Sequence, residues 1–125
     1  MLRIVGVQRS DNPDRVFVLL QNQGSMRVVL RGYVLMSESA ISTGNLYSNS
    51  FVFADETAIP SGVYVLLFTG NGEPRWTRTK DGAHVFQTYV GQDRSLWSRL
   101  EGPLHIMRSH HSYSERLCDP LLVRH

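Results

Sequence analysis

One cysteine and one lysine stand among the 125 residues, and each scarcity removes a class of explanation. Cys118 alone closes no internal disulfide, and no C-x-x-C or Cys/His spacing around it makes a zinc site. Lys80 is outnumbered by arginines twelve to one. That bias suits bidentate recognition of phosphate or carboxylate, but a GC-rich coding sequence produces it equally well, so it carries no functional weight. Long apolar runs are missing too: none approaches the roughly 18 residues of a membrane-crossing helix. Met1 leads into Leu2–Val7 without a long apolar core or a small-residue cleavage site. No secretory leader is expected, and the default expectation is a cytoplasmic chain. Coiled-coil heptads, internal repeats and a domain linker are absent as well.

The balance that remains is globular. Hydrophobic residues make up 42% and charged residues 19%, which fits one folded unit that needs no disulfide. The formal charge of +2 is unevenly spread. Residues 1–74 carry five Arg and six acids, 5 − 6 = −1, whereas residues 75–125 carry eight Lys or Arg and five acids, 8 − 5 = +3. The basic residues of the second half are interleaved with acids instead of forming the dense stripe of a phosphate-tracking domain.

Apolar residues cluster in short blocks punctuated by turn chemistry, the signature of strands in a sandwich or barrel. Leu2–Val7 and Arg15–Gln21 flank Ser10-Asp11-Asn12-Pro13-Asp14, which favours a reversal, and are expected to pair as a hairpin. After the turn at Asn22–Ser25, Arg27–Leu30 runs into Arg31–Met36, with Gly32 placed to let the chain bend between sheets. Ser37–Ser50 has no sustained period and reads as a loop before the strand Phe51–Phe53. Ile59-Pro60-Ser61-Gly62 suits a tight turn, with proline second, before Val63–Phe68. That run is apolar on both faces and is expected as a central strand. Thr69–Pro74 is a long connection; Ala83–Val90, a short element near Leu96-Trp97, and Gly102–Met107 complete the set. The order of residues 109–125 is not legible.

Several of these pieces recur in a familiar order: Phe17-Val18-Leu19-Leu20-Gln21-Asn22, Leu30-x-Gly32-Tyr33-x-Leu35, Phe51-x-Phe53, Ile59-Pro60-Ser61-Gly62-x-Tyr64-Val65 and Trp97. The arrangement, over roughly residues 3–107, resembles the lamin tail domain family, with Tyr33 standing where that family usually has Trp. The resemblance implies an all-β, immunoglobulin-like antiparallel sandwich that serves in interaction or scaffolding and has no general catalytic residues. Without heptads, a stand-alone prokaryotic relative fits better than a filament-forming lamin. The expected organisation is a sandwich over 1–108 followed by a C-terminal tail, 109–125, that could pack on it.

Chemistry-bearing clusters are weak. His105, His110, His111 and His125 lie close together, but adjacent His110 and His111 point opposite ways on a strand and no acid completes a ligand set, so no metal is expected. Ser, His110 and Asp119 occur without a nucleophile elbow. Asp55 and Glu56 are neighbours that diverge, and Gly70-x-Gly72 lacks the helix and Lys-Ser/Thr of a phosphate loop. No catalysis and no cofactor are expected.

The sharper signal is on the second block. If Val18 and Leu20 face the core, Phe17 and Leu19 lie on a face that a one-sided strand would keep polar. Either the tail covers it through Tyr113, Leu117 and Leu121, or another protein or a second copy does. The expectation is therefore a sandwich of seven to nine strands with a core of Ile4, Val18, Leu20, Leu30, Leu35, Phe51, Phe53, Val65, Leu67 and Ile106. Protein partners or self-association would use Phe17, Leu19 and Tyr33. The alternative is weak anion or nucleic-acid binding through Arg75, Arg78, Lys80, Arg94 and Arg99.

Overall fold

The computed structural model describes residues 1–9, 15–44, 50–91 and 103–108, without the side chains of residues 39 and 40. The expected turn at 10–14, the element near Leu96-Trp97 and the tail 109–125 lie outside the described residues. Among the described residues there are ten strands and one short helix: β1 (Leu2–Gln8), β2 (Phe17–Asn22), β3 (Val28–Val29), β4 (Tyr33–Ser37), α1 (Glu38–Thr43), β5 (Ser50–Val52), β6 (Ala58–Ile59), β7 (Tyr64–Phe68), β8 (Arg75–Arg78), β9 (His84–Tyr89) and β10 (Leu104–Arg108). They form a five-stranded sheet in the order β1-β2-β7-β9-β8, a three-stranded sheet β10-β4-β5 and a two-stranded sheet β3-β6. The fold is all-β and sandwich-like, with inward residues of all three sheets meeting in one core.

That core holds Val18, Leu20, Leu30, Leu35, Phe53, Val65 and Leu67 as expected, together with Leu2, Val28, Tyr33, Ile59 and Phe86. Ile4, Phe51 and Ile106 are partly buried against it. The expected β1–β2 hairpin pairs as an antiparallel ladder, interrupted by a bulge between Ile4 and Gly6. A bulge on an edge strand twists it away from further pairing. β7 is the middle of its sheet, as its two-faced apolar run implies.

Three expectations are corrected. Residues 38–43 are helical within the segment read as a loop, because six residues are too few to display a 3.6-residue period. Arg75-Trp76-Thr77-Arg78 is a strand, bringing the total among the described residues above nine; it occupies an edge, where two arginines and a threonine surround the single apolar Trp76, so no apolar run marks it. The sandwich is also not wholly antiparallel. β8 folds back on β9 as a hairpin, and β9 then runs parallel to β7.

Two glycine turns fix the corners. The Tyr33 N–H donates to the Leu30 carbonyl at 3.0 Å, and the Val63 N–H to the Pro60 carbonyl at 3.2 Å. Each turn carries glycine third, with φ of +95° at Gly32 and +81° at Gly62. That is the position at which a type II turn demands positive φ. Pro60 therefore opens its turn instead of standing second. A Cβ at either glycine would meet nothing within 4 Å, so the cost of alanine is backbone strain alone. Gly32→Ala and Gly62→Ala should each lower unfolding free energy by about 1–2 kcal/mol in urea titrations, and a change near zero at either position would refute the assignment.

Asn22 closes the same corner from within. Its fully buried side chain donates through Nδ2 to the carbonyls of Met26 at 2.8 Å and Ile59 at 3.0 Å. Oδ1 accepts from the main-chain nitrogens of Met1 and Gly24, both at 3.1 Å. One amide thus fastens the turn after β2, the start of β1 and strand β6.

Candidate functional site

The alternation of β2 buries Val18, Leu20 and Asn22 and turns Phe17, Leu19 and Gln21 to the outer face of the five-stranded sheet. Antiparallel pairing sets Phe68 beside Phe17, Leu66 beside Leu19 and Tyr64 beside Gln21. Parallel pairing continues the rows with Tyr89 beside Phe68, Gln87 beside Leu66 and Val85 beside Tyr64. Phe17, Leu19, Leu66, Phe68 and Tyr89 are half-buried. Val85, on this outer face, is 6% exposed yet does not belong to the main core.

One end of the face is an aromatic row across β2, β7 and β9. Phe17 meets Phe68 edge-on, with ring centroids 5.9 Å apart and planes at 67°. Phe68 stacks on Tyr89 at 5.4 Å and 20°. Such pairs each contribute about 0.5–1.5 kcal/mol beyond the area they bury. Gly72, in the connection from β7 to β8, lies against the Tyr89 ring so closely that a Cβ there would come within 2.5 Å of it. Beside the ring is a cavity of about 190 Å³ lined by Phe68, Gly70, Asn71 and Tyr89.

Phe17 and Leu19 therefore stand where the pattern of β2 places them. Tyr33 does not: it is 5% exposed, part of the core, and is removed from the surface candidates. On β4 it shares an inward face with Leu35, and the Arg108 guanidinium lies 5.8 Å from its ring centroid. Leu66, Phe68 and Tyr89 complete the face and were missed. Their signal was the two-faced apolar character of β7, which requires a second apolar surface behind the first.

The basic residues of the second half are not gathered by β8. Arg75 and Arg78 fall on opposite faces of that strand. Arg75 lies beside Gln87 on the outer face, donating from Nε to Gln87 Oε1 at 3.2 Å. Arg78 shares the other face with Trp76, whose ring packs on Phe86 and is 45% exposed. Cations on an edge strand also block unwanted pairing. Lys80 is in the following turn, and Arg94 and Arg99 lie outside the described residues. In that turn the Thr79 hydroxyl and local main-chain N–H groups hold the Asp81 carboxyl below its usual range. Because the folded value is depressed, this contribution is present above the ordinary carboxylate range and lost as pH falls through the depressed value.

The remaining polar candidates have local partners. His105 Nε2 lies 2.5 Å from Glu38 Oε2, tying β10 to the start of α1. Asp55 accepts from the buried Thr88 hydroxyl at 2.9 Å, while Glu56 pairs with Arg31 at 2.6 Å, so these neighbouring carboxylates do diverge. No cluster of three or more His, Cys, Asp or Glu able to hold a metal occurs among the described residues; His110, His111, His125, Cys118 and Asp119 lie outside them. No described helix is long and apolar enough to cross a membrane. No family model, curated protein or solved structure matches this chain.

Proposed function

We propose that this chain is a non-catalytic protein-interaction domain of the lamin-tail, immunoglobulin-like kind, which binds its partner on the outer face of the five-stranded sheet. The observation that carries this reading is the continuous row Phe17, Phe68 and Tyr89, with Leu19 and Leu66 beside it. A sheet with one solvated face keeps that face polar, and an apolar surface in its place marks an interaction site. Ring geometry favours protein over nucleic acid. Phe68 and Tyr89 each have one π face occupied by the other, whereas a base-stacking platform needs open faces.

The test is the double variant Phe17→Asp with Leu19→Lys, compared with wild type and with Arg31→Ala as a surface control. Solution mass from light scattering behind a sizing column reports self-association, and quantitative mass spectrometry of co-purifying proteins reports other partners. Associations that survive Arg31→Ala and disappear in the double variant support the reading. If every association persists in the double variant, the reading fails.

A further inference from the structure

We infer that the outer face of the three-stranded sheet carries a binding site for a soft monovalent metal ion, Cu(I), formed by His105, Met36 and Met107. The register of β10 on β4 builds it. His105 pairs directly with Met36, and Met107 with Val34, while the intervening Ile106–Leu35 pair turns toward the core. Alternation therefore sets His105, Met107 and Met36 on the outer face together. Opposite residues stand about 4.5–5.5 Å apart at Cβ and diagonal ones about 7–8 Å, still within reach of long side chains. Methionine has three rotatable bonds, so two sulfurs can meet one imidazole nitrogen around an ion at the roughly 2.0–2.3 Å that such ligands take. The chain has four methionines, and two of them flank this histidine.

Exposure and electrostatics agree with a ligand role. Met107 is 53% exposed and the His105 side chain 39%, so an ion can reach both. Glu38 Oε2 lies 2.5 Å from His105 Nε2. A carboxylate accepts there, so Nε2 holds the ring proton and Nδ1 keeps its lone pair for a metal. The same carboxylate–histidine pairing fixes tautomer and ring orientation in metal sites generally. Glu38 is thus a positioning residue, and its charge offsets that of one monovalent ion. Two thioethers with one imidazole select Cu(I), whereas harder divalent ions take oxygen ligands. The site lies on a different sheet from Phe17 and Tyr89 and does not depend on the interaction reading. Val34 and Val52 continue the row beside Met107, so ligation has to be separated from a purely apolar role. Leucine does this, because it keeps methionine's volume and loses only the sulfur.

The probe is Cu(I) itself, supplied anaerobically from its bicinchoninate complex to the full chain bearing Cys118→Ser, which removes a competing thiol. One ion per chain should bind, and X-ray absorption should show two sulfurs and imidazole nitrogen around it. Met36→Leu and Met107→Leu should each remove one sulfur from that shell and weaken binding by at least about tenfold, the lower end of the losses found even for outer partners. Glu38→Ala should weaken binding by about 10–100-fold with both sulfurs retained. Glu38→Gln, whose amide oxygen still accepts the ring N–H, should restore most of that loss. Affinity unchanged in both leucine variants would overturn the site and leave a merely apolar face. So would a shell of nitrogen alone, which would put the ion on histidines such as His110 and His111, or a chain that retains no Cu(I).

Discussion

Asn22→Leu should lower the unfolding free energy by about 3–4 kcal/mol, although leucine branches at Cγ as asparagine does and is apolar enough for the site. The loss comes from what is stranded. The Ile59 carbonyl loses its bond inside the protein, and the Met26 carbonyl and Gly24 N–H lose theirs at its margin. A buried group without its partner costs about 1–3 kcal/mol, and partly buried ones cost less because water can reach them. For a domain of this size each kcal/mol moves the melting temperature by about 4 °C, so a fall of about 12–16 °C is expected by circular dichroism. Arg31→Ala is the contrast. Its ion pair with Glu56 is as short as 2.6 Å, but both side chains are largely exposed, so the change should stay within about 0.5 kcal/mol. A shift of only a few degrees for Asn22→Leu, comparable to that of Arg31→Ala, would show that the corner does not depend on its amide.

Phe53→Ala should cost about 3–5 kcal/mol, the range for emptying a core site of this size. Phe53 is fully buried, and Phe51 packs edge-on against it with centroids 5.1 Å apart. Its backbone is tied as well: the Phe53 N–H donates to the Tyr33 carbonyl at 2.9 Å, and its carbonyl accepts from the Gly32 N–H at 3.2 Å. Those bonds fix the backbone at position 53, so the main chain cannot shift freely into the void and the cost should fall toward the upper part of the range. Urea unfolding should show a reduced midpoint with an unchanged slope. Phe51→Ala, at a partly buried position, should cost clearly less. Equal losses at the two positions would contradict the assignment of Phe53 as the buried member of the pair.

The parts of this fold legible in the sequence are those encoded by local alternation. β2 shows which of its residues face inward, β7 shows that it is apolar on both faces, and Gly32 marks the corner between two sheets. Long-range pairing has no such local mark. That β9 runs parallel to β7 follows from the hairpin with β8, and β8 is a polar edge strand whose partner, not its composition, makes it a strand. Tyr33 illustrates a different failure. It stood among the expected surface candidates, yet it has the same parity as Leu35, so the period of two already assigned it to the core. The candidate face was half legible: Phe17 and Leu19 betray themselves by position, whereas Phe68 and Tyr89 join them only through cross-strand register.

The central place of β7 also sets the order in which the molecule can assemble. β1 with β2, and β8 with β9, are neighbours in sequence, so each pair can form within microseconds by closing a short loop. Joining Leu20 to Val65 instead requires closing a long span of chain, whose entropy must be lost before any contact rewards it. β7 is the strand onto which both hairpins dock. Until Val65 and Leu67 are in register, the five-stranded half of the chain is two separate hairpins; afterwards it is a single cooperative sheet.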